Sequence, residues 1–353
     1  MKNKIITYLF VGYLTVFSIL GILFKDKDIS YSERRNLSKM PKIEFNSNYV
    51  TKLDKYFLDQ FPFRDSFRMV KASYNYKVLN MLDNNNIYVK DNYIFKSDYP
   101  TDLASISKFN NHIEAMKDLF SNSNIYTMII PDKNYYLDDK YFLNIDYDYI
   151  YDVIKDENIG SFIDIRDIME LSDYYETDTH WKEEKLNKVI LKMSSVMNFS
   201  YHDVLYEKNI FNSFYGVYYG QAAINRSPEK LVYLTSSEFT GVSVKYLEDT
   251  NFSGIYNEDK LNGLDSYDVY LDGANSLIEI TNSNVDNKSL LVFRDSFGSS
   301  LVPLLIPYYS KITVVDNRYI NSSNFMKLID SNYDDVLFLY STLIVNNSGS
   351  LKN

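Results

Sequence analysis

Leu290-Leu291-Val292-Phe293-Arg294-Asp295-Ser296-Phe297-Gly298-Ser299-Ser300 is the stretch whose reading decides the fold class. Four successive apolar residues bounded by a polar turn read as a short strand. Small residues and an apolar run of helical spacing follow, to Pro307. The whole is a strand–turn–helix junction. Two more strands are expected at Ile312–Val315 and Val336–Tyr340, with helical segments at Phe297–Pro307 and Asn324–Ile329 between them. Strands alternating with helices at this spacing predict a parallel sheet with crossover helices. Upstream, Ile125–Ile130 and Ser161–Ile165 read as further strands, the first ending at Pro131-Asp132-Lys133.

Helical spacing appears in Tyr49–Leu82, with a break at Pro62, in Leu103–Phe120, at Ile150–Ile154 and in Lys182–Met197. Ile87–Val89 and Tyr93–Phe95 flank Asp91-Asn92 as a small hairpin. Glycines, tyrosines and alternating apolar positions such as Val242, Val244 and Tyr246 make residues 211–284 a β-rich insertion. At the N-terminus, Ile5–Phe24 is uncharged and follows Lys2 and Lys4. At ~1.5 Å per residue such a helix spans ~30 Å, a bilayer's hydrocarbon thickness. The positive-inside rule keeps the N-terminus cytoplasmic and puts the rest outside. A cleaved signal peptide competes with this, but no small-x-small site follows the run. The expected organisation is a signal anchor at 1–28 and one extracytoplasmic α/β catalytic domain at 29–353. No second run of this length occurs, so the chain is read as single-pass.

Composition removes whole classes of chemistry. Among 353 residues there is no cysteine, and only His112, His180 and His202 can supply an imidazole. Thiol catalysis, disulfide frameworks and cysteine zinc sites are excluded. The net charge of -10 argues against nucleic acid. Without Lys2 and Lys4, the exported part has 35 basic and 47 acidic residues. The 34 tyrosines accompany an abundance of Asn, Lys, Ile and Asp, a bias of the coding sequence before it is a sugar-binding surface. No cofactor or metal site is expected.

Phe-Arg-Asp-Ser-Phe occurs twice, at 63–67 and 293–297. Ser66 falls in a charged helical stretch, where serine is an ordinary solvated or capping residue. Ser296 falls at the carboxyl end of a strand, where open α/β sheets gather ligands. The following amides, Gly298 included, face a developing oxyanion there; an N-cap serine is the plain alternative. A serine nucleophile needs a base. His112 is read as a surface residue of a helix, and His202 as a loop residue. His180 follows Asp178 in Tyr174-Tyr175-Glu176-Thr177-Asp178-Thr179-His180-Trp181. In an extended segment i and i+2 point the same way, which lets Asp178 orient the imidazole. A purely structural Asp–His hydrogen bond, or a weak metal pair, would use the same spacing.

Tyr174–Trp181 together with Arg294-Asp295-Ser296-Phe297 resembles the DHHW family, related to periplasmic alginate O-acetylation proteins with an SGNH-hydrolase-like domain. The resemblance extends to Phe61–Asp65, to Pro131-Asp132-Lys133-Asn134-Tyr135-Tyr136 and to Val315-Asp316-Asn317-Arg318-Tyr319. Thr179 stands at the second position of the four-letter name, and Lys182-Glu183-Glu184-Lys185-Leu186 replaces the family's usual Gly-Ala. The resemblance implies an SGNH-like parallel sheet flanked by helices, with Ser296 as nucleophile, His180 as base and Asp178 as acid. No counterpart of the SGNH oxyanion-hole Gly and Asn stands out. Gly298, Tyr215, Gly216 and Asn346 are candidates.

Around this core, Lys133, Tyr135 and Tyr136 are placed on a loop lining the cleft. Arg294 is expected to shape the turn, in an ion pair with Asp316 or near Arg318, or to meet substrate. Trp181 is expected to pack on His180, with sugar stacking by it, Tyr218 or Tyr219 as the lesser role. The resemblance implies transfer of acetyl groups to hydroxyls of a cell-surface polysaccharide through an acetyl-serine. Its implied partners are a membrane-bound O-acyltransferase that delivers acetyl across the membrane, the membrane itself through residues 5–24, and the polysaccharide acceptor. A polysaccharide O-acetylesterase with the same triad, or a non-catalytic glycan-binding protein, are the alternatives.

Overall fold

Leu290, Leu291, Val292 and Phe293 are wholly buried and alternate between two separate hydrophobic layers, as a strand covered on both faces must. They belong to a computed structural model that describes residues 2–138, 142–157, 159–248, 251–286, 288–330 and 332–352. Seven strands form the main sheet: β1 (Asn124–Ile130), β2 (Ser161–Phe162), β3 (Ser243–Tyr246), β4 (Leu277–Thr281), β5 (Ser289–Arg294), β6 (Lys311–Val315) and β7 (Asp335–Ser341). Their spatial order is β3-β4-β6-β5-β7-β1-β2. Five of them, β6-β5-β7-β1-β2, run parallel, while β4 joins β6 and β3 joins β4 antiparallel. β5 is thus central, with Phe293 in register between Val315 and Phe338.

The chain divides into two compact units, Met1–Ile87 with Tyr219–Ser227, and Tyr88–Tyr218 with Pro228–Asn353. The first holds α1 (Lys2–Leu23), α2 (Ser47–Asp59) and α3 (Arg64–Lys77). Pro62 separates α2 from α3, because a proline has no N–H to continue the helix. Asn46 caps α2 through its side chain on the Tyr49 N–H, and Glu33 lies 2.6 Å from Arg64 and 3.2 Å from Arg68. Over Lys4–Leu23, α1 is long and apolar enough to cross a membrane.

The second unit holds the sheet. Helix α4 (Leu103–Asp118) covers one face with Ile106, Phe109, Ile113 and Met116, joined there by α5 (Tyr147–Asp156). The opposite face is covered by α6 (Asn187–Met197), through Val189, Ile190, Met193 and Met197. From the 211–284 stretch, β3 and β4 extend the main sheet, while Glu207–Phe214 and Glu229–Thr235 form a separate antiparallel pair. The hairpin turns at Asp91 and Asn92, both with positive φ (46° and 70°).

Several expected boundaries shift for local reasons. The strand at Ser161 stops at Phe162. The Lys182–Met197 helix begins as a 3-10 turn, Glu183–Lys185, before α6. The segment after Ser296 is one α-turn, α7 (Gly298–Leu301), and continues as the 3-10 helix Val302–Tyr308. Pro303 and Pro307 remove the donors a longer α-helix would need. Asn324–Ile329 reduces to the single turn Ser322–Phe325. His112, expected at the surface, is buried: it lies three residues after Phe109 and four before Met116, on the inward side of α4.

Candidate active site

The carboxyl ends of the parallel strands carry the polar residues that the sheet itself excludes. Pro131-Asp132-Lys133 follows β1, Asp295-Ser296 follows β5, and Asp316-Asn317-Arg318 follows β6. From Leu290 to Tyr309 every residue is buried except Ser296. The turn that lifts it out is built by Asp295. One carboxylate oxygen accepts from the Phe297 N–H (2.9 Å), the other from the N–H and hydroxyl of Ser341 at the end of β7 (2.8 and 2.6 Å). A Cβ on Gly298 would lie 2.7 Å from Cβ of Arg294, so the tight turn needs a residue without one.

His180 Nε2 lies 2.8 Å from Ser296 Oγ, and His180 Nδ1 lies 2.6 Å from Asp178 Oδ1. A carboxylate only accepts, so the Nδ1 proton points at Asp178 and the Nε2 lone pair faces the serine hydroxyl. The segment is not extended as its spacing suggested. It bends, and Asp178 Oδ1 also accepts the His180 backbone N–H (3.1 Å). Its Oδ2 accepts the Val217 N–H (2.7 Å), so three donors satisfy a fully buried carboxylate. The imidazole is clamped by rings: Tyr267 stacks on it at 3.8 Å and 7°, and Phe297 lies at 4.9 Å. Burial pushes the Tyr267 hydroxyl well up, and that hydroxyl pairs with Ser300 (2.9 Å).

The loop itself is closed by a bridge between Tyr174 and Trp181. Lys133 holds it from one side. This lysine is almost wholly buried, and its ammonium donates to the carbonyls of Tyr175, Glu176 and Asp178 (3.0, 3.0 and 2.7 Å). Burial pushes its pKa down to about 7, against the pull of Asp178 and Glu229. Glu229 holds the loop from another side, accepting the N–H groups of Glu176 (2.6 Å) and Thr177 (2.7 Å) and the Thr177 hydroxyl. Gly216 abuts the loop so closely that a Cβ would fall 2.2 Å from the Thr177 carbonyl oxygen.

Of the expected site residues, Ser296, His180 and Asp178 are brought together. Lys133 faces loop carbonyls instead of a cleft, with the Tyr218 ring 5.1 Å away. Tyr136 packs on Tyr135 and Tyr174. Trp181 is buried, donating through Nε1 to the Phe297 carbonyl and the Ser300 hydroxyl (both 3.0 Å), which ties the histidine loop to the serine turn. Arg294 is buried beside Asp316 (3.6 Å), and Arg318 grips the same carboxylate with two nitrogens (2.9 and 2.6 Å). The Gly298 N–H is used inside the turn on the Asp295 carbonyl. Asn346 spends its amide on Asp98, Pro100 and Asp102. His202 sits exposed against Glu238 (3.0 Å). Tyr267 and Glu229 escaped the sequence reading, because their partners lie dozens of residues away.

No family model matches the sequence, and no curated protein matches it. In three dimensions it is similar to a DHHW family protein from Eubacterium siraeum, 19% identical, over 77% of this chain and 97% of that one (TM-score 0.63). It is also similar to Bacillus cereus PatB1 carrying a sulfonyl adduct, 20% identical, over 76% and 96% of the two chains (TM-score 0.59). The O-acetyltransferase domain of Pseudomonas putida AlgJ is more remote, at 11% identity and TM-score 0.42 over 74% and 93%. The helix-flanked, mostly parallel sheet is therefore the fold of the DHHW protein and of PatB1, shared over about three quarters of this chain.

Proposed function

We propose that the protein is a serine-dependent O-acetyltransferase acting outside the membrane on hydroxyls of a cell-surface polysaccharide. The observation that carries this reading is the imidazole of His180 bridging Asp178 and Ser296 at 2.6 and 2.8 Å. It does so at the one residue between Leu290 and Tyr309 that reaches solvent. Ser296 Oγ attacks the acetyl carbonyl while its proton passes to His180 Nε2, and Asp178 stabilises the imidazolium. The proton then leaves with the donor's departing group, and an acetyl-serine remains. A sugar hydroxyl gives its proton to the same nitrogen, attacks the acetyl group and restores the serine. Within the turn the Phe297 and Gly298 amides are engaged, so the oxyanion is assigned to the Ser296 N–H.

In this reading α1 is a retained anchor, and the acetyl group reaches the site from a membrane-bound O-acyltransferase. PatB1 holds a sulfonyl adduct in its structure, which recommends a sulfonyl fluoride as probe. Wild-type protein should be labelled at Ser296, and an artificial acetyl ester with an oligosaccharide should yield acetylated sugar. Release of acetate alone, with no sugar product, would make the protein an esterase. Absence of both labelling and turnover would leave a non-catalytic glycan-binding protein.

A further inference from the structure

We propose that the α2–α3 hairpin rests on the bilayer that α1 enters, with its outward apolar stripe seated in the membrane interface. The inference rests on reading α1 as a retained anchor. Along α3, Phe63, Phe67, Val70, Tyr74 and Val78 recur at helical spacing, and all are 42–66% exposed. Ala72, on the opposite side of the helix, is fully buried. A helix of a water-soluble unit turns such a stripe inward. Here it faces out, and Val50, Phe57 and Leu58 of the neighbouring α2 are exposed as well; exposed apolar side chains clustered on one helical face mark a contact surface.

Depth along α1 identifies the occupant. Phe17 stacks on Phe61 (5.3 Å between ring centres) and meets Phe67 edge-on (5.7 Å), while Phe24 meets Phe63 (5.4 Å). Phe17 precedes Phe24 by seven residues, or about 10 Å of helix. If α1 spans the bilayer, Phe61 and Phe67 lie at the level of its apolar part, and Phe63 at its end. That matches the ~5–10 Å to which interfacial helices sink their apolar face. Charge agrees. Residues 47–82 carry six basic and three acidic side chains in a chain whose net charge is -10. Lys71 and Lys77 flank the stripe, where long stems reach lipid phosphates.

The absence of cysteine makes a direct test available. Full-length single-cysteine variants Val70→Cys, Tyr74→Cys, Asp65→Cys and Thr15→Cys would carry an environment-sensitive fluorophore. They would be reconstituted in vesicles of brominated phosphatidylcholine with a minor share of phosphatidylglycerol. Quenching at 70 and 74 should approach that at 15 and exceed that at 65 several-fold. Quenching at 15 alone would overturn the proposal and leave the anchor intact. No quenching at 15, 70 or 74 would overturn both. All four positions are solvent-facing or lipid-facing, so the substitutions leave the packed parts of the fold alone.

Discussion

Phe-Arg-Asp-Ser-Phe is written twice in this chain and means two different things. At 63–67 it opens α3: Phe63 is in the left-handed region (φ 59°), Arg64 pairs with Glu33, and Asp65, Ser66 and Phe67 are exposed. At 293–297 four of the five residues are buried, and only Ser296 emerges. The difference lies in the neighbours. Pro62 precedes the first copy, whereas four strand residues, Ser289–Val292, lead into the second. After the first copy comes Arg68, after the second Gly298, whose missing Cβ lets the helix start against Arg294. All three histidines, moreover, fall in the unit that holds the second copy. In the function proposed above, the pentapeptide supplies a nucleophile only where a strand end, a glycine and a base converge.

The comparison can be broken most directly at the serines. Ser296→Ala should abolish sulfonyl labelling and lower kcat by on the order of 10⁴ or more, while Ser66→Ala leaves both unchanged. Labelling lost only in Ser66→Ala would reverse the assignment. Next, Asp178→Asn should cost about 10⁴ in kcat with little change in KM, because an amide favours the wrong tautomer of His180; steady-state kinetics on an acetyl ester would check this.

Lys133→Met should cost about 10² in kcat, since three loop carbonyls lose their donor and the Asp178–His180 segment drifts. It also has a pH signature. With the native pKa near 7 and the unfolded one at the ordinary lysine value, the native state holds fewer protons between these limits. Stability contributed at this position therefore rises with pH from about 7 to about 10.5. Denaturant titrations should show the wild type gaining on Lys133→Met across that window, and parallel pH profiles would refute the buried-lysine account. Smallest is Gly298→Ala, expected to lower stability by about 1–3 kcal/mol through overpacking on Arg294, read as a shift in thermal midpoint.

Much of this architecture could be read from local pattern. Leu290–Phe293 announces a strand, because four apolar residues before a polar turn admit few other readings; that it lies at the centre of the sheet is seen only in the structure. The three-histidine limit points to His180 and the flanks of the repeated pentapeptide point to Ser296, and the two side chains lie 2.8 Å apart. Lys133 sits beyond the strand end that its sequence context marks, but its task is hidden there, since its acceptors are backbone carbonyls more than 40 residues onward. Tyr267 was invisible for the same reason, lying 87 positions beyond the ring it stacks on. His112 is a different case: its spacing from Phe109 and Met116 already marked the buried side of α4.

Trp181 is the only tryptophan among 353 residues, and it hydrogen-bonds across to the serine turn. The molecule thus carries a single indole chromophore at the junction of the His180 loop and the Ser296 turn, in a chain with 34 tyrosines able to pass excitation to it. Its emission reports on one place only. Acylation of Ser296 or loosening of the His180 loop should change the indole signal before far-ultraviolet dichroism records any loss of fold, which gives site opening and global unfolding separate optical readouts in unmodified protein.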